Sequence, residues 1–240
     1  MTSSLGKETF QVKKDGHSRY GIEGMGAGIM ASFSTREITR DQKEYFYRAH
    51  ALQTENCHEL KQVHGPQIIT IHQSISKSSV IHEADGWITN QLGVGLVIRT
   101  ADCLPVFFSD EKNGVIGLAH AGWRGLHQGI LEAMVQKFIK DYGSQSAHIK
   151  AFLGPAMRSC CYEVGMEFKD YFPQSTEPAQ TPQKLMMNMI QEARRRLQAQ
   201  GISLQNLGDS GFCTGCRNDE FFSARKGASE ERIFSLIVRR

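Results

Sequence analysis

The chain has 240 residues, 40% of them hydrophobic and 22% charged, with a formal net charge of +3. These proportions describe a globular protein long enough to bury a sizeable core and exclude a disordered or fibrous chain. So small a positive charge gives no reason to expect nucleic acid as a partner. The one dense basic run, Arg194-Arg195-Arg196, falls in a helical pattern and reads as a solvated helix face.

In chain order, residues 1–34 alternate weakly around Gly21, Gly24, Gly26 and Gly28 and predict one or two short strands ending in GIMASFSTR. Residues 40–60 predict a helix capped by Asp41, with Tyr45, Tyr47, Ala49, Leu52 and Leu60 spread around it. QIITIHQ (67–73) is β-branched and strand-like, ADG (84–86) is a turn and WITN a short strand. GVGLVIRT (93–100) and LPVFFSD (104–110) are near-continuous apolar strands. Glu111–Gly114 is a hairpin turn leading into VIGLAHA (115–121). Residues 125–143 predict a helix with Leu126, Ile130, Met134 and Phe138 on one face and Gly143 at its end. HIKAFLGP (148–155) is a buried strand stopped by Gly154-Pro155.

Residues 173–183 hold three of the six prolines and predict an exposed loop. A second helix is expected from about Gln183 to Gln200, with Leu185, Met189, Ala193 and Leu197 on one face. RIFSLIVRR closes the chain as a strand. Strands outnumber helices and many are joined by tight turns, which predicts an α+β fold of mixed or antiparallel sheets with a few covering helices. Residues 1–240 are expected to form one domain.

The segment 1–16 lacks the apolar stretch of a signal peptide, and no apolar run approaches the ~18 residues that span a bilayer. The expectation is a cytoplasmic protein without a membrane partner. In that reducing compartment the six cysteines (57, 103, 160, 161, 213 and 216) are expected as core, metal or catalytic residues, not as a disulfide framework.

Three residues in three separate turns carry the chemistry: His64 in KQVHG, Cys103 in TADCLP and His120 in LAHAGWRG. Each lies at the end of a strand-like run among small or turn-forming residues. Two imidazoles and a thiolate suit zinc, and three protein ligands leave the open position of a catalytic site. The spacing alone is no metal motif, and each residue taken singly also reads as a core or turn residue. Arg124 and Arg225 are candidate phosphate ligands. Asp85 and Asp102 could orient a metal-bound histidine, although for Asp85 the turn reading is the stronger one. Tyr162 and Glu163 could line a pocket, and Glu163 and Asp102 are candidate proton shuttles. Cys213 and Cys216 form a C-x-x-C, but adjacent Cys160 and Cys161 make a poor second pair for a structural zinc, so incidental use is the simpler reading.

A His₂Cys set is also a copper set, but the chain has nine histidines and no H-x-H pair, which argues against multicopper chemistry. Two other readings use the same residues. Cys103 could be a nucleophile and His120 its base, in a hydrolase such as an amidase acting on cell-wall precursors. The chain could also be a non-catalytic metal-binding module.

Taken together, KQVHG, ADGWITN…GLVIRTADCLPVFF, GLAHAGWRG, GPAMRSCCYEVG and FCTGCRNDEFFSARK resemble the laccase-domain family, long labelled multicopper polyphenol oxidase and now regarded as purine nucleoside phosphorylases. The resemblance spans roughly residues 25 to 240. It implies zinc on His64, Cys103 and His120, with Cys103 and His120 as catalytic residues. It implies an α/β/β/α sandwich shared with a group of cysteine hydrolases. It also implies phosphorolysis of adenosine, inosine, guanosine and methylthioadenosine with phosphate as co-substrate, and hydrolytic deamination of adenosine. Residues 35–45 are shorter than the family pattern, and Asn188 and Ala193 stand where the family usually has Asp and Asn.

Overall fold

The computed structural model describes residues 10–16, 18–72, 82–228 and 230–240. The first part supplies β1 (Gln11–Asp15), β2 (Arg19–Glu23), β3 (Ile29–Ser34), α1 (Lys43–Arg48), β4 (Cys57–His58) and β5 (Ile68–Ile71). Next come β6 (Gly86–Thr89), β7 (Gly95–Thr100), β8 (Leu104–Asp110), β9 (Val115–Ala121), α2 (Trp123–His127), α3 (Ile130–Tyr142) and β10 (Lys150–Leu153). The last part supplies β11 (Glu163–Gly165), α4 (Phe168–Tyr171), β12 (Thr176–Pro178), β13 (Lys184–Met187), α5 (Met189–Ala199), β14 (Leu207–Asp209) and β15 (Ile233–Arg239).

Two six-stranded sheets dominate, in the orders β1-β2-β3-β15-β7-β4 and β14-β10-β8-β9-β6-β5. Both are mixed. The first is antiparallel except where β4 joins β7, and the second has parallel pairs at β10·β14 and β5·β6. A small antiparallel sheet, β11-β13-β12, stands apart from them.

The near-continuous apolar runs in β7, β8, β9 and β15 follow from burial on both faces. Leu96 and Ile98 of β7, with Ile233 and Ile237 of β15, join Trp87, Phe107, Ile116, Leu118 and Phe152 of the second sheet in the core between the sheets. The residues of opposite parity point outward. Val97, Phe234, Leu236 and Val238 meet Phe46 and Tyr47 of α1. Val106, Phe108, Ala119 and Ala151 meet α3 and α5 through Met134, Phe138, Ala193 and Leu197. The layers are therefore helix, sheet, sheet, helix, as expected. No helix among the described residues is long and apolar enough to cross a membrane.

Several local expectations need correction. The helix expected over 40–60 is one short piece, α1, flanked by 3₁₀ turns at Arg40–Gln42 and Thr54–Asn56. The 3₁₀ turn that leads into it starts at Thr39, whose N–H donates to Gln42 Oε1 in a capping box, and Asp41 is not the cap. Ala51, at φ 45°, turns the chain away. The helix expected from Gln183 begins only at Met189. Before it, Leu185 and Met187 alternate with Lys184 and Met186 on β13, a period of two that fits a strand. The proline-rich loop contributes β12, paired to β13.

The helix over 125–143 starts at Trp123 and is broken into α2 and α3 by Gly129, whose φ of 91° leaves the right-handed region. Gly143, at φ 67°, ends α3 with its N–H on Phe138 O and Ile139 O, as expected. The Arg194–Arg196 run is not simply solvated. Arg195 and Arg196 both bind the buried Glu192 carboxylate, Arg196 also reaches Glu132, and Arg194 pairs with Asp209. The strand signal expected within residues 1–9 and at Gln73 lies outside the described residues.

Candidate metal centre

The ends of three strand-like segments converge at one place. His120 is the penultimate residue of β9, with the same parity as Ile116 and Leu118, and is 3% exposed. Cys103 immediately precedes β8, and His64 sits in the turn before β5. A nitrogen of each histidine and Cys103 Sγ lie within 4.8 Å of one another, and the two imidazole rings are 4.8 Å apart at an interplanar angle of 78°. Gly122 makes this approach possible. A Cβ added there would lie 2.9 Å from His64 Cδ2 and 3.1 Å from Cys103 Sγ.

Two of the turns adopt left-handed backbone, His64 at φ 61° and Asp102 at φ 84°. Such conformations are uncommon for residues with a side chain and persist where surrounding contacts hold them. At His64 the holding group is Asp85. Its fully buried carboxylate accepts from Val63 N at 3.1 Å, His64 N at 3.0 Å and Gly65 N at 2.7 Å. The same carboxylate accepts from His120 Nδ1 at 2.7 Å. Asp85 therefore folds the His64 turn and orients His120 together, leaving His120 Nε2 for the site. The turn reading of Asp85 is too weak, because the residue joins the backbones of two ligand segments. Asp102 accepts from Thr214 Oγ1 at 2.6 Å and from Arg225 N at 2.9 Å.

The charges of the cluster are linked. Burial opposes ionisation of Cys103, but hydrogen bonds to His120 and His64 outweigh it and hold the thiol down at about 6. Burial likewise opposes protonation of His120, yet Asp85 and the Cys103 sulfur raise it to about 9. Desolvation pushes Asp85 up, but its bonds to His120 and to the amides of Gly65 and His64 leave it below the usual carboxylate range. An ionisable thiol and two imidazoles match zinc's donor preference, and a carboxylate on the far nitrogen of one imidazole is the usual orienting contact of a zinc-binding histidine. Among the described residues the other potential metal cluster is made of cysteines alone, so the histidine-rich second centre of multicopper chemistry has no counterpart there.

The cluster opens onto a cavity of about 620 Å³, within the range of small-molecule sites. Lys61, Arg99, Arg225 and Arg232 bring cations to its wall, and Trp123 and Tyr162 bring aromatic rings. Burial, reinforced by Cys103 and Asp102, pushes the Tyr162 phenol up to about 12, so it stays protonated at neutral pH.

Arg225 is held by its Nη1 on Glu163 O at 3.0 Å, with its guanidinium 5.3 Å from the centre of the Tyr162 ring. Arg124 is exposed, 4.3 Å over the Trp123 ring, and is not itself among the residues that line the cavity. Glu163 turns its carboxylate to Thr181 Oγ1 at 2.6 Å and does not line the cavity. Asn188 caps α5, accepting from Gln191 N, and Ala193 lies in the core, so neither departure from the family pattern lines the cavity. Lys61, Gln62, Arg99 and Arg232 were not singled out in the sequence. Gln62 follows Lys61 in KQVHG and exchanges two hydrogen bonds with the Arg99 backbone.

The family model described as multi-copper polyphenol oxidoreductase laccase matches residues 7–240. A purine nucleoside phosphorylase of Pseudomonas aeruginosa is 34% identical over 185 residues, covering 74% of this chain and 72% of its own. One from Bacteroides thetaiotaomicron is 29% identical over 236 residues, covering 90% and 87%. Among solved structures, the hypothetical protein YfiH of Bacillus licheniformis superposes with a TM-score of 0.88 at 23% identity, covering 95% of this chain and 99% of that one. YlmD of Geobacillus stearothermophilus superposes with a TM-score of 0.87 at 24% identity, covering 98% and 100%. At those identities the structural likeness speaks for the fold.

Proposed function

The chain belongs to the multi-copper polyphenol oxidoreductase laccase family, and on that footing we propose that it is a zinc-dependent purine nucleoside phosphorylase that also deaminates adenosine. Adenosine, inosine, guanosine and methylthioadenosine are the substrates of this reading, with phosphate as co-substrate. Relatives named purine nucleoside phosphorylase support it. The observation that carries it is the convergence of His64, Cys103 and His120 at the edge of a cavity walled by cations and aromatic rings.

In this reading His64, Cys103 and His120 hold zinc, which when bound supplies Lewis-acid polarisation. Arg225 and Arg124 bind the phosphate, an assignment favoured for Arg225 by its place in the cavity wall and for Arg124 by its position against the ring of Trp123, which lines that wall. A phosphate oxygen forms the new bond to C1′ while the bond from C1′ to the base nitrogen breaks, and its electron pair leaves with the purine. The departing base needs a proton, and the Tyr162 phenol, raised to about 12, holds its own too tightly to be the ready donor. Trp123 and Tyr162 offer faces on which the purine can stack. Asp85 keeps His120 in a single orientation throughout.

The test is to incubate the purified, zinc-assayed protein with adenosine, with and without phosphate, and to separate the products. Adenine is expected only with phosphate, and inosine in both samples. Zinc bound one per chain with neither product formed would end the nucleoside reading. Arg225→Ala is expected to raise the phosphate concentration needed for adenine release while sparing inosine formation. Equal loss of both activities would count against its phosphate role.

One observation favours a second reading. Cys103, His120 and Asp85 form a nucleophile–base–carboxylate series, with Asp85 Oδ1 2.7 Å from His120 Nδ1. That is the arrangement of a cysteine hydrolase such as a cell-wall amidase. Stoichiometric zinc on these residues argues against it. A metal-free protein alkylated at Cys103 by substoichiometric iodoacetamide argues for it.

A further inference from the structure

We propose that Cys160, Cys161, Cys213 and Cys216 bind a zinc ion of their own as a closed tetrathiolate clamp behind the wall of the cavity. The four Sγ atoms lie within 4.8 Å of one another, with Cys160 to Cys216 at 3.3 Å and Cys161 to Cys216 at 3.4 Å. Zinc–sulfur bonds of about 2.3 Å in a tetrahedron require sulfur–sulfur edges of about 3.8 Å. Those two separations fall about 0.4–0.5 Å short of that edge and all the others are under 4.8 Å, so small side-chain adjustments close the site. Four protein thiolates leave no open position, which makes the site structural.

The backbone supports both pairs. Adjacent cysteines on an extended chain would point to opposite faces. Here Cys160 and Cys161 sit in a tight turn in which Cys161 N and Tyr162 N both donate to Arg158 O at 2.9 Å, and both thiols reach Cys216. In the facing C-T-G-C turn, Arg217 N donates to Cys213 O at 2.9 Å, and this turn sets Cys213 and Cys216 on the side of the other pair. Gly215 makes room for the other pair, because a Cβ there would lie 2.8 Å from Cys161 Cβ and 3.0 Å from its Sγ. The two turns are aligned by Ala156 N on Phe212 O at 3.3 Å and Thr214 N on Ala156 O at 3.1 Å.

The clamp adjoins the candidate active site on both sides without sharing a ligand with it. Cys161 is followed by Tyr162 in the cavity wall. Thr214, inside the C-x-x-C, donates to Asp102, the neighbour of Cys103. An ion on the four sulfurs would fix the 158–163 turn against the 213–217 turn and, through them, Tyr162 and Asp102. This inference is independent of the nucleoside reading.

Cobalt(II) is the probe, added to the reduced, metal-stripped full chain under argon. A His64→Ala/His120→Ala variant, whose catalytic cluster is disabled, is expected to bind one equivalent with the intense near-ultraviolet band of thiolate-to-cobalt charge transfer. Adding Cys213→Ser and Cys216→Ser to it should abolish the band. Cys160→Ser alters an exposed residue and serves as the variant least at risk of misfolding. In the same background it should lose band intensity while its circular dichroism stays unchanged. Absence of bound cobalt in the His64→Ala/His120→Ala variant, an unaltered band in Cys160→Ser, or native chains carrying a disulfide among the four would each overturn the clamp.

Discussion

Asp85 concentrates more of the candidate centre's order in one side chain than any of its ligands does. Its carboxylate accepts from three successive amides and from His120 Nδ1. Asp85→Asn keeps the shape but offers an N–H₂ group to one of those donors. The expected result is zinc bound ~10–100-fold more weakly by the His64–Cys103–His120 cluster, read by competition with a chromophoric chelator. Unchanged affinity in a folded variant would show that His120 needs no orienting partner. Gly122→Ala tests the same centre sterically. The added methyl must displace His64 or the Cys103 sulfur, so zinc affinity is expected to fall while the circular dichroism spectrum is kept. The trio itself was legible in the sequence because each member sits at a strand end among small residues. Asp85 was legible there as a possible orienting partner but reads first as a turn residue, because its role lies in three amides and an imidazole that the fold brings to it. The four-cysteine cluster was discounted because adjacency argues against shared ligation in an extended chain, and nothing local announces the turn at Arg158 that reverses this.

Among the elements, those legible in the sequence were those buried on both faces. β7, β8, β9 and β10 read as apolar runs bounded by turn residues, and the Glu111–Gly114 turn joined β8 to β9 as expected, with Asp110 paired to Val115. The misread elements are those whose periodicity is set by a neighbour. Leu185 and Met189 fit a helical stripe, yet β13 is a strand because β11 and β12 pair with both its edges. Hydrophobic spacing also passed through Gly129 without showing the break between α2 and α3. That break has a measurable cost. A residue with a Cβ is disfavoured in left-handed backbone by about 1–2 kcal/mol, and at Gly129 an added Cβ meets no atom closer than 3.6 Å. Gly129→Ala is therefore expected to lower stability by about that amount through backbone strain alone, measured by urea unfolding. A neutral or stabilising effect would mean that α2 and α3 can run on as one helix.

For the molecule as a whole, the joint between the outer helix α1 and the first sheet is the place where acid should act. His50, just beyond α1, is 3% exposed. Its Nδ1 pairs with Phe46 O at 2.8 Å and its Nε2 with Ser32 Oγ of β3 at 2.6 Å. Nδ1 must donate to the carbonyl, so the Ser32 hydroxyl donates to Nε2 and the ring is neutral. Burial is the main cause that holds this imidazole down at about 4, opposed by the Phe46 carbonyl and assisted by the charges of Arg19 and Arg240. Arg240 also donates to His50 O, drawing the C-terminus onto the same joint.

In the unfolded chain the ring titrates near its ordinary value of about 6.5. Below that pH the unfolded state takes up a proton that the folded state refuses, so stability is lost as pH falls from about 6.5 toward 4. Over that window the residue accounts for about 3 kcal/mol, and for about 2 kcal/mol by pH 5. Urea midpoints of the wild-type chain and of His50→Gln, compared at pH 8 and pH 5, isolate this contribution. The variant should be less stable at pH 8, where it lacks the fitted imidazole, and the gap should narrow at pH 5. A gap that stays constant with pH would mean that His50 is protonated in the folded protein, with Ser32 turned to accept from it, and that acid sensitivity lies elsewhere in the sandwich.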